Sequence, residues 1–111
     1  MEERDRDLLG AVVENARIAL VYAAEAGTVW WEDARTVDAI AKRVEEVGEL
    51  LKRVAPVVLA GIGGVDWKGA KGIRDHLVHD YGHLDLDVLR DVVEAKLPAL
   101  LVALDVVDGG S

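Results

Sequence analysis

Apolar residues recur at helical spacing through the first half of the chain. Between about Arg4 and Ala26, Leu8, Leu9, Val12, Val13, Ala16, Ala19, Leu20 and Ala23 form one broad stripe, the signature of a helix with one face against a core. The segment is rich in Ala, Leu, Glu and Arg, all good helix formers, and Gly27 is placed to stop it. A second stripe follows the connection TVWWED: Val37, Ile40, Ala41, Val44, Val47, Leu51 and Val54. Lys42, Arg43, Glu45, Glu46, Glu49, Lys52 and Arg53 alternate with it and form a solvated outer face. Asp33 or Thr36 is placed to cap this helix, which runs to about Ala55. Pro56 ends it or starts a new short helix.

The second half is less regular. PVVLAGIGGV is Gly-rich but lacks both G-K-[ST] and G-x-G-x-x-G, so it reads as a connection and not as a phosphate loop. Within it VVLAGI is the one piece ambiguous between helix and strand. Asp66 is placed to cap a third helix from Trp67 to about Tyr81, with Gly82 near its end. Asp85 can cap a fourth, beginning LDVLRDVVEAKL; Pro98 kinks or restarts it, and PALLVALDVV completes it. Gly109, Gly110 and Ser111 read as a loose tail. Four helices with short connections predict an all-α, antiparallel four-helix bundle, a single domain over residues 1–108.

Composition narrows the function. The chain has 111 residues, 51% of them hydrophobic, which argues for one folded domain and against disorder. It has no Cys, so thiolate nucleophiles, disulfides and zinc–sulfur sites are excluded. MEERDRDLLG is too charged for a signal peptide, and no apolar run approaches the roughly 18 residues of a membrane span. The expectation is a soluble cytoplasmic protein with no membrane attachment. Net charge is −8, from 21 acidic and 13 basic residues, the wrong sign for a surface that grips nucleic acid everywhere. Any RNA contact must be local or assisted, and the acidity suits a basic partner.

The polar chemistry concentrates in IRDHLVHDYGHLD, Ile73 to Asp85. Three readings compete. His76, His79 and His83, with Asp80, fall at i, i+3 and i+7 and could hold zinc or nickel on one helical stripe. Gly82 works against that stripe, and no H-E-x-x-H signature is present. A plain polar helix end accounts for His83 and Asp85 but demands nothing of Arg74 or Tyr81. The third reading is phosphodiester chemistry. Arg74 offers a permanently charged fork for a phosphate. His79 can take a proton from a ribose 2′-hydroxyl or give one to a leaving oxygen. On one continuous helix the two would differ by about 140° and about 7.5 Å of rise, converging on a ligand from two sides of one ridge. Strand cleavage wants both a base and an acid. One chain supplies one Arg/His set, so a twofold homodimer would supply both.

The string WKGAKGIRDHLVHDYGHLDLDVL resembles the HepT-like family of the HEPN superfamily. The hallmark R-x-x-x-x-H-x-Y stands here as Arg74, His79 and Tyr81. DAIAKRVEEVGELLKRV resembles the family's second long helix with its Gly-Glu pair, here Gly48 and Glu49. LDLDVLRDVVEAKLPALLVAL resembles its last helix, with the Leu97-Pro98 step. The resemblance spans about residues 5 to 107. It implies an all-α homodimer with the Arg/His motifs meeting at the cleft, acting as a metal-independent endoribonuclease toxin that needs no cofactor. It also implies an antitoxin partner, a minimal nucleotidyltransferase of the MntA type, which transfers AMP to the motif tyrosine, Tyr81. Asp75 departs from the Asn that many relatives carry, and Leu50 stands where relatives more often have Ala. The rival reading is a non-catalytic nucleotide- or substrate-binding subunit for a nucleotidyltransferase.

Other residues carry weaker expectations. Asp75 is placed to orient the site, and Glu49 either holds Arg74 or a histidine or belongs to the solvated face. Trp30 and Trp31 are adjacent and cannot share a face, so one should be buried and the other placed near an interface. Trp67 should anchor the start of its helix on the core. Arg17, Arg35, Arg43 and Arg53 read as surface-pairing residues or an RNA path. His76 and His83 are not motif positions.

Overall fold

The computed structural model describes residues 1–78 and 82–109, with side chains through Asp105. Two long helices dominate, α1 (Glu3–Ala26) and α2 (Ala34–Arg53). Every residue of the two predicted stripes is buried except Leu20, which is half-buried. The helices run antiparallel, and two long-range hydrogen bonds fix their register. The Asp5 carboxylate accepts from the Ala55 N–H at 3.0 Å, and Arg43 Nη1 donates to Asn15 Oδ1 at 3.0 Å. Asp5 sits on the apolar face one turn before Leu8 and is 5% exposed. Its acceptor is needed there because Ala55 lies in the break after α2, where no helical carbonyl serves its N–H.

The turn between the hairpin arms is a 3-10 turn, Trp30–Glu32, closed by Asp33. Asp33 accepts from the Arg35 N–H at 3.3 Å and from the Thr36 hydroxyl at 2.7 Å, so Asp33 is the cap and Thr36 its partner. Trp30 is buried; Trp31 is half-buried and stands edge-on to it at 5.8 Å and 84°. The Arg90 guanidinium carbon lies 3.6 Å above the Trp31 ring and pins the C-terminal half of the chain to this corner. Arg90 Nε is buried and finds no hydrogen-bond acceptor among the described residues; Glu94 Oε1 is 3.6 Å away, beyond hydrogen-bond range.

Pro56 starts a short helix, α3 (Pro56–Ala60), so the ambiguous VVLAGI is helical through Ala60 and turns at Gly61. Trp67 donates its indole N–H to the Ile62 carbonyl at 2.8 Å and packs half-buried on the core, anchoring the helix that it begins.

The third predicted helix is where the structure corrects the sequence. It is not one helix to Tyr81. It breaks at Gly72 into α4 (Trp67–Lys71) and α5 (Ile73–Leu77), and Val78 is already extended at φ −111°, ψ 122°. Val78 bridges antiparallel to Leu84, and the Asp85 N–H donates to the Leu77 carbonyl at 2.7 Å. This pairing takes the carbonyl that a further helical turn would need. Among the described residues this bridge is the only β pairing, and there is no strand.

Asp85 caps α6 (Leu86–Asp91), accepting from the Val88 N–H at 3.1 Å. The predicted interruption at Pro98 is a wide π turn, Val92–Lys96, followed by α7 (Leu97–Gly109). Proline lacks an N–H and its ring crowds the preceding turn, so the ladder widens ahead of it. Asp91 and Lys96, five residues apart, pair at 3.6 Å across this turn. Gly109, first residue of the expected tail, is the last residue of α7; Gly110 and Ser111 lie outside the described residues. The architecture is an all-α bundle: the α1–α2 hairpin, the α4–α5 arm on α2, and the α6–α7 unit against α1.

Candidate functional site

The arm that carries the motif is built from short pieces with specific holds. Asp66 caps α4 by accepting from the Gly69 N–H at 3.1 Å. A side chain at 69 would collide with the Asp66 carboxylate, its Cβ falling 2.5 Å from Oδ2, so glycine there admits the cap. Gly72 then redirects the chain, and α5 sets Ile73 and Leu77 inward, both buried. Arg74, Asp75 and His76 are left exposed. Arg74 has no ion-pair partner among the described residues, so its fork is presented to solvent.

The two ends of segment 79–83 are fixed by the Val78–Leu84 bridge and the Asp85–Leu77 hydrogen bond. Gly82 takes φ +78°, a left-handed value that a glycine adopts at no steric cost. His79, Asp80 and Tyr81, and with them two of the three motif side chains, lie outside the described residues. The backbone on either side nevertheless corrects the geometry expected for them. Because Val78 is extended, Arg74 and His79 do not share one continuous helix, and the 140° relation between them does not apply. The same break removes the stripe on which His76, His79 and His83 would have lined up for a metal. No group of three or more His, Asp or Glu side chains gathers into a metal-binding set among the described residues.

Glu49 does not hold Arg74. Its carboxylate accepts from Lys52 Nζ at 3.2 Å. Asp75 stands exposed beside Arg74, where its carboxylate lowers the local positive potential. Arg43 belongs to the hairpin through Asn15; Arg17, Arg35 and Arg53 are exposed.

Two features escaped sequence reasoning. One is the Trp31–Arg90 stack, which joins residues 59 positions apart and has no local signal. The other is a groove of about 680 Å³ beside the motif. Its lining includes Ile73 and His76 of α5, Val44 and Val47 of α2, and Val88, Val92 and Leu100 from the C-terminal part of the chain. The groove is mostly apolar, and the carboxylates of Asp66, Asp87 and Asp91 stand among its lining residues.

The described residues form a helical bundle that exposes Arg74 on α5, next to the Val78–Leu84 bridge. The sequence pattern of the ribonuclease HepT-like family matches residues 13–107, and the chain belongs to that family. A protein of Methanocaldococcus jannaschii named "Putative RNase MJ0127" is 30% identical over 67 residues, 60% of this chain. The chain spans about half the length of that relative, 55% of it. No solved structure matches. No helix among the described residues is long and apolar enough to cross a membrane.

Proposed function

We propose that this protein is a metal-independent endoribonuclease of the HEPN type, acting as the toxin of a toxin–antitoxin pair. The observation that carries the reading is the family match across the whole motif region, together with Arg74 exposed on α5 beside the fixed ends of the segment that holds His79. His79 acts as the base that removes the proton from a ribose 2′-hydroxyl. The 2′-oxygen attacks the adjacent phosphorus, and the bond to the 5′-oxygen breaks. That oxygen leaves with a proton from an acid, the His79 of a second copy. The products are a 2′,3′-cyclic phosphate and a 5′-hydroxyl. Arg74 binds the phosphate and stabilises the charge that builds on its oxygens.

The need for both an acid and a base supports a homodimer, and the apolar groove lined in part by α5 gives a second copy a surface next to the motif. Tyr81 positions RNA and receives AMP from a nucleotidyltransferase antitoxin of the MntA type. AMP adds bulk and negative charge where an RNA phosphate must sit, which closes the site. Asp75 orients Arg74 at some cost in RNA attraction.

The test is cleavage of single-stranded RNA by the purified chain in chelator. The reading expects cleavage by the wild type, loss in Arg74→Ala and His79→Ala, and the mass of one AMP on Tyr81 after exposure to the antitoxin and ATP. Unchanged cleavage in both variants would take Arg74 and His79 out of the chemistry, and RNA binding without cleavage by the wild type would leave a binding subunit in place of an enzyme.

A further inference from the structure

Gly48 lies buried on the inner face of α2, where the α4–α5 arm crosses it. A Cβ at this position would fall 2.8 Å from Ile73 Cγ2, 3.2 Å from the Ala70 carbonyl oxygen and 3.5 Å from that of Lys71. All three atoms belong to the arm. Neither of the two closest can turn aside. The Ala70 oxygen is backbone, and Cγ2 is attached directly to Cβ of a β-branched side chain with a stiff χ1. An added methyl must therefore move the arm as a body.

Arg74 moves with it. Ile73 immediately precedes Arg74 and is one of the two buried side chains of the five-residue α5. The other, Leu77, is held from the far side by the Asp85 N–H on its carbonyl. A push at Ile73 pivots α5 about Leu77 and swings the arginine. Restoring an ordinary carbon–carbon separation of roughly 3.5–4.0 Å calls for a displacement of about 1 Å. Misplacements of that size, made far from the chemistry, can cost about 100-fold in rate.

We infer that Gly48 is a positioning residue for the RNA-phosphate contact of Arg74: it sets the distance at which the motif arm stands on α2. This rests on the ribonuclease reading above. The experiment uses Gly48→Ala, Arg74→Ala, the pair combined, and Gly48→Ala with Ile73→Ala, which removes the closest clash. Each is measured for RNA cleavage, for affinity to a single-stranded 2′-O-methyl RNA that lacks the nucleophile, and for thermal melting. Gly48→Ala should lower kcat by about 10- to 100-fold while still melting cooperatively, and should weaken RNA binding. It should cost no further affinity in the Arg74→Ala background, because the contact it disturbs is already gone. Adding Ile73→Ala should recover part of the lost kcat. Wild-type kcat in Gly48→Ala overturns the inference. So does an equal loss of affinity in both backgrounds, which marks a general packing role, and so does failure of both Gly48 variants to fold. A wild type that neither cleaves RNA nor changes its RNA affinity on Arg74→Ala overturns the ribonuclease reading itself, a distinct result.

Discussion

The α1–α2 hairpin and the α4–α5 arm solve different problems. The hairpin consists of helices of 24 and 20 residues whose buried stripes mesh along their length. Polar bonds at Asp5 and Asn15 lock its register. The arm consists of two five-residue helices separated by a glycine. Helices so short cannot hold themselves, because nucleation is unfavourable and each gains only one turn of bonds. The arm therefore borrows its shape from the cap at Asp66, from the Asp85 N–H on the Leu77 carbonyl, from the close seat at Gly48 and from the Val78–Leu84 bridge. The longest helices make up one region, and Arg74 stands exposed on the other. Elements with few buried contacts open at lower free energy than the core, so the arm can be perturbed without unfolding the hairpin.

Substitutions at four positions would break or sharpen that contrast. Leu51 is fully buried in the hairpin, and Leu51→Ala should lower global stability by about 3 kcal/mol, read by denaturant melts. Asp5→Ala removes the acceptor of a buried backbone N–H and should cost about 2 kcal/mol in the same assay, with Asp5→Asn milder. Asp66→Ala removes the α4 cap and should cost about 1 kcal/mol. Its effect should appear as faster amide exchange in residues 67–77 more than as a lower melting temperature. If it instead destabilised the whole chain as much as Leu51→Ala does, the two regions would be one cooperative unit. Glu49→Gln breaks only an exposed pair with Lys52 and should change stability by under about 0.5 kcal/mol and RNA cleavage not at all.

The same contrast explains what could be read from the chain. The hairpin is legible because its helices are long enough for periodicity to be unambiguous, and seven of the eight stripe residues on α1 are buried as the spacing demands. The caps at Asp33, Asp66 and Asp85 and the interruption at Pro98 are legible because each rests on local chemistry. The end of α5 is not. Ala70, Ile73 and Leu77 continue a helical stripe, and nothing local announces that Leu84 and Asp85 will claim the backbone at Val78 and Leu77. The seat at Gly48 leaves a faint signal. A glycine inside a 20-residue helix costs about 1 kcal/mol relative to alanine, and this one falls on the buried face. Such a position asks what comes too close for a Cβ, but only the fold names Ile73 and Ala70. Arg74 is identified through its motif spacing, and the structure places it exposed; the seating of His79 and Tyr81 lies outside the described residues.

The central claim is that the chemistry belongs to the arm while the hairpin carries the fold. It is tested most directly by Arg74→Ala, assayed side by side for single-stranded RNA cleavage in chelator and for thermal melting. Removing one transition-state donor should lower the cleavage rate by about 100- to 1000-fold. The melting temperature should stay within about 3 °C of wild type, as expected for an exposed side chain whose loss changes stability by under about 0.5 kcal/mol. Cleavage at the wild-type rate, or a collapse of melting in step with activity, would contradict it.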